Sequence, residues 1–150
     1  MTILEQLIEA KANKDYTAMF EAIPYARLLG LAPKVDGDGL ITMMKYGDHT
    51  IGNASLPAIH GGAIGALLES AAIFELLDHI ALPPRPDTIV LPKTITITVD
   101  YLRSAGPHDT FARGTITRHG RRVANVRVEA WQTDRAQPVA TAHAIFLVMS

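Results

Sequence analysis

Apolar positions open the chain at helical spacing: Ile3, Leu4, Leu7 and Ile8, then Tyr16, Met19, Phe20 and Ile23. They form one stripe. The spacing predicts a helix, or two short ones, over residues 2–22, packed on the domain by that stripe and ended by Pro24. Residues 28–35 read as a strand. Asp36-Gly37-Asp38-Gly39 is a turn signal, and residues 40–46 read as the returning strand of a hairpin. Residues 47–58 read as a loop, with Gly52-Asn53 and Pro57 as breakers. The pattern then changes. Between Gly61 and His79 the apolar residues Ala63, Ile64, Ala66, Leu67, Leu68, Ala71, Ala72, Ile73, Leu76 and Leu77 cover almost the whole circumference of a helix. The run lacks the period of two and is too long for a buried strand. It predicts a helix buried on most sides.

Leu82-Pro83-Pro84-Arg85-Pro86 reads as a rigid exit from that helix. Beyond it, Ile95, Ile97, Val99 and Tyr101 alternate, which predicts a half-buried strand over 94–102 with threonines on its other face. Gly106-Pro107 turns the chain. Residues 110–118 and 122–133 read as a hairpin around His119-Gly120, and 139–149 as the last strand. The order is helix, hairpin, long buried helix, four antiparallel strands. One twisted antiparallel sheet wrapped around one helix buries both, so the fold class is α+β. With no internal repeat and no linker, residues 1–150 read as one domain, with 1–27 as an N-terminal helical extension.

Composition narrows the function more than the fold. Hydrophobic residues make up 48% and the net charge is −1, so no basic excess points to a nucleic-acid partner. Cysteine is absent, which removes disulfides and thiolate chemistry. Glu5 and Glu9 near the start do not fit a signal peptide, and Glu69, Glu75 and Asp78 interrupt the long helix, so no membrane segment is expected. A cytoplasmic protein is the expectation. The six histidines include no pair three or four residues apart, so no metal site is expected. There is no Gly-x-Ser-x-Gly elbow and no glycine-rich dinucleotide motif after a strand, so no bound cofactor is expected.

The candidate chemistry lies on the long helix. Glu69 has Gly65, Ala66, Ala72 and Ile73 as its neighbours one turn away, and none can neutralise it. A buried, unpaired carboxylate suits a general base or acid; the alternative is a carboxylate that reaches solvent or a basic side chain elsewhere. His60-Gly61-Gly62 opens the same helix. The first N–H groups there have no partner within the helix, and glycines leave them open to an anion or a developing oxyanion. Eight residues separate Gly61 from Glu69, roughly 12 Å along the helix and roughly 80° around it. One reacting carbonyl does not touch both groups of one helix. A shared reaction therefore requires two chains, each giving one group.

His60-Gly61-Gly62 followed by Glu69, with a strand ending in Tyr101-Leu102-Arg103 downstream, resembles the hotdog-fold acyl-CoA thioesterases. The chain is similar to the PaaI-like group and, in carrying Glu at the acidic position, to the hydroxybenzoyl-CoA thioesterase branch. The resemblance runs from about Gly30 to the C-terminus. It implies the hotdog fold, hydrolysis of an acyl-CoA thioester, and coenzyme A as part of the substrate only. It also implies a homodimer or homotetramer with the active site between protomers. Glu69 would act as general base or nucleophile, the Gly61 N–H as oxyanion donor, and His60 would orient the carbonyl or the loop. Asn53 would hold water or thioester. Gly62 and Ile73 would line the substrate site. Arg118, Arg121 and Arg122, flanking the His119-Gly120 turn, and Arg103 suit the phosphates of the nucleotide end by forked hydrogen bonding. Two departures stand out. Many relatives carry Asn or Gln where this chain has Ala54, with Asn53 one residue earlier, and some carry Ser or Thr where it has Ile73. Other readings are a hotdog acyl-CoA hydratase or dehydratase, a non-catalytic acyl-CoA binder and a structural oligomeric domain.

Overall fold

The structure is a computed structural model and describes every residue except Pro83, Pro84, Pro86, Thr88, Ile89 and Ser150. Three short helices open the chain: α1 (Ile3–Ala12), α2 (Tyr16–Glu21) and α3 (Pro24–Leu29). Thr2 and Glu5 form a reciprocal capping box on α1, and the Asp15 side chain caps α2. Pro24 does not end a helix, as the sequence reading had it. It occupies the first turn of α3, where its missing N–H costs nothing. Gly30, with φ of 69°, terminates α3 in the left-handed conformation. The first strand consequently starts three residues later than expected.

Strands β1 (Leu31–Asp36) and β2 (Gly39–Met44) form the predicted hairpin. The segment expected as a loop contains a 3-10 turn (Asp48–Thr50) and a two-stranded ribbon of β3 (Ile51–Asn53) and β4 (Ala58–Ile59). Its short strands carry no alternation long enough to be read from sequence. The central helix α4 spans Gly61–His79, with the predicted bounds. The proline-rich exit expected at Leu82 to Pro86 falls mostly outside the described residues. Strands β5 (Lys93–Tyr101), β6 (Thr110–His119), β7 (Val123–Trp131) and β8 (Ala140–Leu147) complete the main sheet.

The six strands run in the order β1-β2-β6-β7-β8-β5, antiparallel at every junction. The sheet curves around α4, whose Leu67, Leu68, Ala72 and Leu76 are fully buried against Ala112, Val126, Val128, Ala144 and Phe146. Small residues dominate the facing strands, so helix and sheet approach closely. At the far end of α4, Lys11 donates from Nζ to the carbonyls of Leu77 (2.6 Å) and Asp78 (2.8 Å), and Tyr16 donates to Asp78 (2.9 Å). The N-terminal helices thereby cap the central one.

Candidate active site

Strand β5 lies at one edge of the sheet and touches both ends of the helix region singled out by sequence. A β-bulge falls between Thr94 and Thr96. It places Ile95, 56% exposed, outside the alternation. Thr94 instead faces α4 and donates from Oγ1 to Glu69 Oε1 at 2.8 Å. Glu69 is therefore half-buried and hydrogen-bonded, not buried and unpaired as expected. The bulge is the physical reason, and a period-of-two reading cannot locate it. Beyond the bulge the expected phase holds: Ile97 and Val99 are half-buried, and Tyr101 faces the start of α4.

At that start, His60 caps the helix. Its Nδ1 accepts the Gly62 N–H at 2.8 Å, so in the neutral ring the proton sits on Nε2. The Gly62 donor is thus already engaged, and the Gly61 N–H has no acceptor among the described residues. The Tyr101 hydroxyl donates to the Gly61 carbonyl at 2.7 Å, and its ring lies 3.5 Å from where a Gly61 Cβ would stand. The peptide joining Gly61 to Gly62 is held at both ends, at its oxygen by Tyr101 and at its nitrogen by His60. His60 itself donates its N–H to the Thr50 carbonyl at 2.7 Å. Gly52 permits this approach, because a Cβ there would lie 2.6 Å from His60 Cα.

Two cavities separate the predicted residues. Gly62, Glu69 and Ile73 line a groove of about 570 Å³ along α4, banked by α3 on one side and β5 on the other. Gly61 and Arg103 line a second cavity of about 350 Å³ with Tyr101. Within one chain the structure keeps Gly61 and Glu69 apart, as the helical spacing requires. Asn53 is exposed and its Oδ1 closes a turn by accepting the N–H groups of Ser55 (3.0 Å) and Leu56 (3.3 Å). Arg103 donates to Gln137 at 2.9 Å. Arg118, Arg121 and Arg122 are exposed on the β6–β7 turn, at the end of the sheet where Thr94 lies. Two to three strand spacings, roughly 10–14 Å, separate that turn from β5. Sequence reading did not assign Thr94 or Tyr101 to the site. Tyr101 was visible only as part of a strand ending.

The model of the acyl-CoA thioesterase N-terminal domain matches residues 52–147, more than half of the sequence. The chain belongs to this acyl-CoA thioesterase family. Solved structures agree with that placement. A Chromobacterium violaceum protein is 36% identical over 95% of each chain, with a TM-score of 0.74. A Shewanella oneidensis protein related to the thioesterase superfamily is 27% identical over 95% of this chain and 98% of its own, also with a TM-score of 0.74. A phenylacetic acid degradation-related protein from Ralstonia eutropha is 25% identical, covering 84% of this chain and 91% of its own, with a TM-score of 0.70. No curated protein matches the sequence significantly. The thioesterase match begins at Gly52 and so includes the ribbon, α4 and β5 to β8, which carry the groups described above. It also accounts for the antiparallel sheet around α4, which is the hotdog arrangement.

Proposed function

We propose that this protein hydrolyses an acyl-CoA thioester in a site shared by two protomers. One observation carries the reading: the two candidate groups sit at opposite ends of the same open edge strand, Glu69 through Thr94 and Gly61 through Tyr101. A two-fold axis through the middle of β5 would pair it antiparallel with its copy. The Tyr101 end of each protomer then lies beside the Thr94 end of its partner. Each Glu69 meets a Gly61 N–H from the other chain, which the 12 Å spacing along one helix forbids within a protomer.

In that arrangement the thioester oxygen accepts the Gly61 N–H, at the positive end of the α4 dipole, as negative charge develops. Glu69 takes a proton from water as the water oxygen attacks the carbonyl carbon, or attacks that carbon itself to give an acyl-glutamyl anhydride that water then cleaves, the water proton passing to the departing thiolate. The carbon–sulfur bond breaks, the sulfur takes the proton, and free acid and coenzyme A leave. Thr94 holds the carboxylate in one rotamer. The four arginines offer forked donors to the phosphates, Arg103 from the Gly61 side and the β6–β7 turn from the Glu69 side.

The test is release of free thiol from acyl-CoAs by wild type and Glu69→Ala. A loss of at least about 100-fold in kcat, the scale of a positioned acid–base group, is expected with the fold intact by circular dichroism. Near wild-type turnover in the variant would remove the proposal. Inactive Glu69→Ala and Gly61→Pro chains, mixed and allowed to exchange, are expected to regain part of the activity, because one of the two sites in the mixed dimer has both groups.

A further inference from the structure

Resting on the thioesterase reading, we propose that the groove takes an unbranched, uncharged hydrocarbon acyl chain of medium length and that Tyr25 on α3 sets its limit. The groove follows α4 from Gly62 to Leu77, fifteen residues or about 22 Å. Glu69 divides it. Towards the helix N-terminus the floor is Gly65 and Ala66, beside Tyr101 and the open strand edge. Towards the C-terminus the floor is Ile73, Phe74 and Leu77, and the α3 bank adds Ile23, Tyr25 and Ala26. That second half is apolar apart from the hydroxyls of Ser70 and Tyr25.

Its chemistry selects the acyl group. Among the described residues lining the groove, the ionisable ones are Glu69 and Tyr25. Those described lining residues offer no cation to a carboxylate-ended acyl group, and the Glu69 carboxylate disfavours one. The distance from Glu69 to Leu77 is eight residues, about 12 Å along the helix. An extended hydrocarbon chain advances roughly 1.25 Å per carbon, so about eight to ten carbons span it. An aromatic ring next to the carbonyl fills only the first part.

Tyr25 is the adjustable wall. It lines the groove and is 54% exposed, while the neighbouring Ala26 and Leu29 anchor α3 in the core. The α3 bank also lies outside residues 52–147, so family membership does not specify it. A smaller side chain at position 25 opens the bank to a longer chain, and a larger one narrows it.

Two measurements test this. The first is kcat/KM by thiol release for straight-chain acyl-CoAs from acetyl to palmitoyl, with benzoyl- and succinyl-CoA, for wild type, Tyr25→Ala and Tyr25→Trp. The wild type is expected to peak near octanoyl or decanoyl, about ten-fold or more above acetyl, benzoyl and succinyl. Tyr25→Ala is expected to move the peak to longer chains and Tyr25→Trp to shorter ones. A flat profile, a preference for benzoyl or succinyl, or variants that scale every substrate equally would overturn the assignment. The second is calorimetric binding of S-alkyl-CoA thioethers, which need no turnover. Decyl binding about ten-fold tighter than ethyl supports the groove even where no thioester is cleaved, an outcome that removes the hydrolysis reading alone. Equal binding of ethyl, decyl and benzyl thioethers overturns the acyl assignment.

Discussion

Tyr101 and Thr94 each contribute one hydroxyl, and each holds a group on which the proposed chemistry depends. The Tyr101 hydroxyl on the Gly61 carbonyl orients the first peptide of α4. Tyr101→Phe keeps the ring against Gly61 and removes the hydroxyl that makes that bond. A hydrogen bond of about 1 kcal/mol corresponds to about a five-fold fall in rate. We expect that fall in kcat with KM little changed, measured on the best acyl-CoA. A second residue-scale effect lies away from the site. Burial pushes the Glu75 carboxyl above the usual carboxylate range, against weaker opposing attraction from His79. The folded state then holds the Glu75 proton at pH values where the unfolded chain has released it. Native Glu75 therefore makes no difference at a pH below its unfolded value. It destabilises progressively as pH rises through its folded value. Glu75→Gln is expected to raise Tm by a few degrees at pH 8, where the buried carboxylate is charged. At pH 4 the gain should disappear, and thermal unfolding at the two pH values checks the sign.

At the scale of elements, the N-terminal helices bind to α4 through two unlike contacts. Phe20 of α2 and Phe74 of α4 stack with ring centroids 3.6 Å apart and planes 10° from parallel, both fully buried. Lys11 and Tyr16 complete the capping at the last turn of α4. Phe20→Ala leaves a cavity at the centre of this junction and is expected to cost about 3–5 kcal/mol in urea unfolding. Because Phe74 also lines the groove, the same variant should weaken discrimination among acyl chains. The helical stripe of residues 2–22 was legible in the sequence. Its division into α1 and α2 and the separate α3 were not. Asp15 caps and Pro24 starts a helix through local geometry, and a proline read alone signals a helix start as readily as a stop.

At the scale of the molecule, the two edges of the main sheet are unequal. β1 is six residues long and carries Pro33, Lys34 and Asp36, features that discourage further pairing. β5 is nine residues long, lacks proline, and exposes Ile95 and Tyr101. Such an edge invites pairing with a second copy. We expect a solution mass twice the 16.2 kDa of the chain by light scattering. Ile95→Lys is expected to shift the protein towards monomer on dilution, with activity falling in parallel. Activity retained by a monomeric Ile95→Lys would count against a shared site.

The sequence by itself determined the class of fold, the bounds of α4, and the succession of strands from β5 to β8. These follow from local periodicities that tertiary contacts reinforce. It also determined that Gly61 and Glu69 are too far apart on one helix for one carbonyl, because helical rise is a property of the backbone alone. The tertiary structure decided the rest. The bulge that turns Thr94 onto Glu69 depends on pairing with β8, and strand alternation carries no mark of it. The bond between Tyr101 and Gly61 joins residues forty positions apart. The α3 bank of the groove meets α4 only because the sheet brings the N-terminal helices back over the central one. Contacts between distant elements depend on how helix and sheet faces pack together, and a single local pattern holds no record of that packing.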